Sequence, residues 1–126
     1  MNAPAIPAAR LACLLEDAAA GVSGDAAAVA LIIRHDHFLH QPGFRRIIAA
    51  GSSICSGEPV TVIRWNAAIH ALDTGRLPCS SSQDAVLRIA ASLGDAAIGV
   101  HLRPVLGGLD RRAITLVAAA ITAANG

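Results

Sequence analysis

Between Val60 and Asp95 the chain reads VTVIRW, then NAAIHAL, a DTGRLP break, and CSSSQDAVLRIAASLGD, a succession that admits few local folds. The first run is strand chemistry, because side chains at period two separate Val60, Val62 and Arg64 from Thr61, Ile63 and Trp65. The second set is the more apolar and is predicted to meet the helices. Asn66 offers a side-chain oxygen at a helix N-cap position, and the helix it opens carries Ile69 and Leu72 inward until Asp-Thr-Gly ends it. Beyond the Leu77-Pro78 link, Ser81 followed by Asp84 resembles a capping box with Asp in place of Glu. The helix that starts there places Val86, Ile89, Ala90 and Leu93 on one stripe, widened by Leu87. Asp84 and Arg88 stand at i and i+4 as a solvent-side ion pair, and Gly94 is the stop.

The flanks extend this pattern. Residues 1–6, with Pro4 among them, are expected to be a flexible entry, and Pro7 opens a helix running to about Ala20. A second helix starts near Ser23 or Asp25 and carries Val29, Ile32, Ile33 and Leu39. Pro42 begins a third, PGFRRIIAA, whose Phe44, Ile47 and Ile48 share a face while Arg45 and Arg46 point away. SSICSGEPVTVIRW, with its Ser-Gly-Glu-Pro turn signal, reads as a β-hairpin. Ile98, Val100 and Leu102 alternate like a third strand that Pro104 limits. Asp110 caps a last helix in which Ile114, Val117 and Ile121 recur at core spacing. The expectation is one domain over residues 1–126, α+β in class, with five or six helices and a small antiparallel sheet or hairpin.

Composition decides what can fill that core. With 54% hydrophobic but only 2% aromatic residues, it must be built from Leu, Ile, Val and the 28 alanines. All ten basic residues are Arg, the net charge is +1, and the acids are evenly spread, so no global field draws nucleic acid or an anionic membrane. Cys13, Cys55 and Cys79 are odd in number and lack CxxC spacing, which reads as free thiols. The apolar run at Leu11 is cut by Glu16 and Asp17 without a basic leader. Ala113 to Ala124 falls short of the roughly 20 residues of a membrane span. A cytoplasmic protein with no membrane contact is expected.

Four groups of residues invite chemistry. RHDHFLH places three histidines and Asp36 close together, but on a helix only His37 and His40 share a face, which makes them weak metal candidates. Cys79 or the serines Ser80 to Ser82 could join His70, His101 or one of the clustered histidines in a nucleophilic arrangement, yet no GxSxG elbow is present and capping explains the serines. Leu106-Gly107-Gly108-Leu109 lacks a phosphate-loop pattern. Arg45, Arg46, Arg64, Arg76 and Arg88, with Gln83, could make a basic face on a helix-turn-helix formed by Asn66–Asp73 and Ser82–Leu93. Arg103, Arg111 and Arg112 could add to it. Trp65, the single tryptophan, is read as a corner post of the core.

The block IRWNAAIHALDTGRLPCSSSQDAVLRIAASLGD, with RHDHFLHQPGFRR before it and GLDRRAITLVAAAITAANG after it, resembles small uncharacterised proteins encoded in actinobacterial genomes. The likeness spans roughly Leu31 to Gly126 and implies a soluble intracellular bacterial protein with no established activity and no transferable site residues. The expected function is therefore a non-enzymatic interaction or regulatory protein, a homo-oligomer working through an apolar helical surface toward an unidentified protein partner, with no cofactor. A helix-turn-helix or winged-helix-like DNA-binding protein is the alternative, and a His-rich metal-binding protein the weaker one.

Overall fold

A computed structural model describes residues 6–52 and 59–126. The first helices, α1 (Ala8–Ala19) and α2 (Ser23–His35), lead to a 3-10 turn at Phe38–His40 and the short α3 (Pro42–Arg45). An antiparallel pair follows, β1 (Ile48–Ser52) with β2 (Pro59–Ile63), and then α4 (Trp65–Asp73), α5 (Ser81–Gly94), α6 (Leu102–Gly108) and α7 (Arg111–Ala124). The protein is thus mostly helical α+β with one small antiparallel sheet, its register running from Ile48 opposite Ile63 to Ser52 opposite Pro59.

Two helices organise the core. α5 is covered by α2, α4, α6 and α7, and apart from Ser81 each of its residues is buried or half-buried. Its sequence permits this because Ala85, Val86, Leu87, Ile89, Ala90 and Ala91 surround most of the axis, and a helix apolar on most sides belongs inside. α2 lies against α1, α5 and α7, and its Ala27 and Ala28 allow neighbouring axes to come close. Bulk comes from Phe38 and Phe44, both fully buried with ring centroids 5.2 Å apart. Thr61, Ile63 and Trp65 face the helices, and Val62 and Arg64 face out, as the period-two pattern predicts.

Several boundaries differ from expectation, each for a local reason. PGFRRIIAA does not stay helical. α3 ends at Arg45, and Ile48 turns to strand, because pairing with β2 buries Ile48 against the sheet partner Ile63. The hairpin therefore begins upstream of Ser52. Its expected turn, with Cys55, lies outside the described residues, as do residues 1–5 of the expected flexible entry, whereas Ile6 is buried in the core. The Ile98–Leu102 strand does not form. That segment turns through an Ile98 N–H to Asp95 carbonyl bond, and Leu102 opens α6 with Pro104 in its first turn, where no intrahelical N–H is required.

Capping also shifts. α4 starts at Trp65, two residues too early for Asn66 to cap it, and the Asn66 side chain instead accepts from the Ala67 N–H. The box at α5 is Ser80 with Gln83 rather than Ser81 with Asp84. The Gln83 N–H donates to Ser80 Oγ at 3.2 Å, and the Ser80 N–H donates to Gln83 Oε1 at 2.8 Å. Asp110 caps α7 as expected, accepting from the Ala113 N–H at 2.7 Å. The core face of that helix, however, is Ala113, Val117 and Ala120, so Ile114 and Ile121 stand outside. Arg112 ties the start of α7 to the end of α2 by donating to the carbonyls of Arg34 at 2.8 Å and His35 at 3.2 Å, a cation at a helix C-terminus.

Candidate functional site

The end of α2 divides the histidine cluster, leaving the His35 and His37 rings edge-to-face with centroids 6.2 Å apart. Asp36 adopts a left-handed conformation, φ +60°, with its N–H on the Ile32 carbonyl, which a short polar side chain tolerates. His40 then turns back to Asp36, Nε2 to Oδ1 at 2.8 Å, in the open. His37 instead packs edge-on to Phe38 and brings Nδ1 within 3.4 Å of the Gln83 amide nitrogen. His37 and His40 do not converge, and no group of three or more metal-ligating side chains occurs among the described residues.

His35 is 8% exposed, with no hydrogen-bond partner for Nδ1. Burial, reinforced by Arg112 and His37 and only partly opposed by Asp110, holds its pKa below the ordinary 6.5. As pH falls through 6.5 the unfolded chain takes up the proton first, so stability drops until the folded-state pKa is passed and then levels. Thermal melts from neutral pH to about pH 5, above the ordinary carboxylate range, should show this decline. His35→Leu should flatten it, and an unchanged slope in that variant would exclude His35 as its source.

Two of the candidate arginines are held by partners within the chain. Arg64 donates to the carbonyls of Ile47 at 2.9 Å and Arg46 at 3.1 Å, bracing the hairpin. Arg88 is held between Asp84 at 2.7 Å and Asp73 at 2.8 Å. Gln83 is occupied by the capping box and His37, whereas Arg46 and Arg76 are exposed and Arg45 is half-buried. α5, which a helix-turn-helix would lay in a groove, is enclosed by four other helices.

Cys79, Ser80 and His101 line one cavity of about 580 Å³ between α5 and α6, with Asp84 and Arg88 in the same wall. The thiol there is held above its ordinary pKa by burial and by Asp84, the reverse of an activated nucleophile. Ser80 and Ser82 accept from the N–H groups of Gln83 and Asp110. His70, another candidate partner for a nucleophile, is exposed near the end of α4.

What stands out is the surface of α6 and α7. Leu102 is 52% exposed, Leu106 42%, Ile114 41% and Ile121 48%. α6 buries none of its residues although it rests on α5, the same helix that supports α7. On α7, Ile114, Ala118 and Ile121 at i, i+4 and i+7 form an outward stripe beside the buried face. Periodicity alone could not place it outside, because either an alanine-rich or an isoleucine-bearing face satisfies the helical repeat. Family models, curated proteins and solved structures yield no match to this chain.

Proposed function

We propose that the protein is a non-enzymatic interaction or regulatory module that associates with copies of itself through the α6–α7 surface. The observation that carries this reading is the exposure of four large aliphatic side chains on two helices, one of which has no fully buried residue. Withdrawing such side chains from water is favourable by roughly 25 cal/mol per Å². α7 alone, 14 residues and about 21 Å long, offers too narrow a strip for the roughly 800 Å² per partner of a stable interface. The proposed contact therefore also draws on Leu102 and Leu106 of α6. Arg88 in its carboxylate clamp and the enclosure of α5 favour this reading over duplex binding.

Light scattering and sedimentation should find a dimer or higher oligomer at micromolar concentration. Ile114→Glu combined with Ile121→Glu places carboxylates in the contact and should weaken association at least tenfold while circular dichroism is unchanged. A wild-type chain that stays monomeric to hundreds of micromolar would end the proposal.

A further inference from the structure

Two histidine rings and an arginine meet where the end of α2 receives the start of α7. His35 closes α2 with its ring buried and Nδ1 unpartnered, and the His37 ring stands edge-to-face to it with Nε2 also buried and unpartnered. The Gln83 amide fixes which nitrogen of His37 bears the proton. Because Gln83 Oε1 accepts the Ser80 N–H, its amide nitrogen is the group turned toward His37, 3.4 Å from Nδ1. An amide nitrogen only donates, so Nδ1 accepts and the ring proton sits on Nε2. A second proton would set donor against donor and disturb the capping box of α5.

The surroundings of His35 resist a proton as well. From α7, Arg112 donates to the carbonyls of His35 and Arg34, and its charge opposes a protonated ring, as does His37 beyond the helix end. These terminal carbonyls would otherwise favour a cation on His35, but Arg112 already occupies them. Asp110 favours the protonated ring, yet that carboxylate caps its own helix through the Ala113 N–H. The α5 groups bonded at the junction, Ser82 and Gln83, are neutral. On the α2 side Arg34 is exposed, and Asp36 is paired with His40 in the open. A proton on His35 therefore joins Arg112 in a poorly hydrated place, and the strain is relieved when Arg112 and the first turn of α7 swing away. The cost of that movement is low. In the first turn Ala113 alone is buried, while Val117 and Ala120 farther along hold the helix in the core.

We propose that His35 and His37 are an acid-sensitive latch on α7, whose protonation releases the first turn of that helix from the end of α2 while the rest of its core face stays in place. The latch acts within one chain and does not require Ile114 and Ile121 to meet a second copy. The released form takes up the proton more readily than the closed one, in which His35 is held below 6.5. The released fraction therefore grows as pH falls below 6.5 and levels once the closed form is protonated too.

Native-state amide exchange followed by NMR tests this. The N–H groups of Ala113 and Ile114, both bonded to Asp110, should exchange through an opening with shallow denaturant dependence, the mark of little surface exposed. Ala90, in the buried middle of α5, should exchange through a steep one. After correction for intrinsic rates, the shallow opening should become severalfold more frequent between neutral pH and about pH 5, above the ordinary carboxylate range. His35→Leu with His37→Asn should make it independent of pH, and His40→Asn should leave the response intact. Arg112→Met, a change at an exposed residue, should open the turn at neutral pH and shrink its pH response. The proposal is overturned by a wild-type opening that does not change with pH, or by Ala113 and Ile114 opening only with the steep dependence of Ala90. A full response in the double variant or in Arg112→Met would overturn it equally.

Discussion

Phe38→Ala is expected to cost about 3–5 kcal/mol, the range for emptying a fully buried phenylalanine site. Phe38 is inaccessible to solvent and touches the Phe44 ring at 5.2 Å, the His37 ring at 4.8 Å and the His35 ring at 5.9 Å between centroids. These two phenylalanines are the only ones in the chain, and the remaining core residues are mostly small or aliphatic, so nothing nearby has the volume to collapse into the space. Against a total stability of about 5–15 kcal/mol the loss is large. The melting temperature should fall by about 10–20 °C. Phe44→Ala should behave similarly, and the double variant should show about 0.5–1.5 kcal/mol of coupling from the ring pair. A denaturant titration giving less than about 1.5 kcal/mol for Phe38→Ala would mean that the site relaxes, contrary to the close packing described above.

Gly94→Ala tests two opposed effects. Gly94 closes α5 without a positive φ, and on backbone grounds alanine there would stabilise the helix by about 0.5–1 kcal/mol. The structure predicts the opposite sign. A Cβ at Gly94 would fall on the Trp65 indole, against Nε1 and Cε2 and within 2.9 Å of Cζ2. The indole is rigid and almost wholly buried at the start of α4, so relief requires moving the strand-to-helix corner, and overpacking of this kind costs about 1–3 kcal/mol. Chemical denaturation should show net destabilisation. Pairing Gly94→Ala with Trp65→Leu should cost less than the two changes added together, because the smaller side chain vacates the space the methyl needs. Additive costs would place the penalty elsewhere.

How far the sequence reveals this molecule depends on where each segment obtains its free energy. α5 is legible because its own residues specify it: serine caps, a broad apolar stripe and an i, i+4 ion pair agree with one another. The inward set Thr61, Ile63 and Trp65 is legible for the same reason. β1 is hidden because IIAAGS suits a helix equally well, and only pairing with β2, a non-local event, decides the matter. α6 is hidden because Pro104 argues against regular structure until its place in a first turn is known. The candidate interaction surface is hidden by alanine. On α7 either face satisfies the helical period, and the choice falls to α2, whose Ala27, Ala28 and Leu31 favour the closer-packing face of Ala113, Val117 and Ala120.

The Arg112 tie to the carbonyls of Arg34 and His35 has a consequence during synthesis. α2 is made early, yet the helix that covers one of its faces and occupies its terminal carbonyls is residues 111–124. A ribosome adding about 5–20 residues per second leaves that face of the nascent chain open for several seconds. Covering of Leu31 and its alanine neighbours therefore waits on the synthesis of residues 111–124.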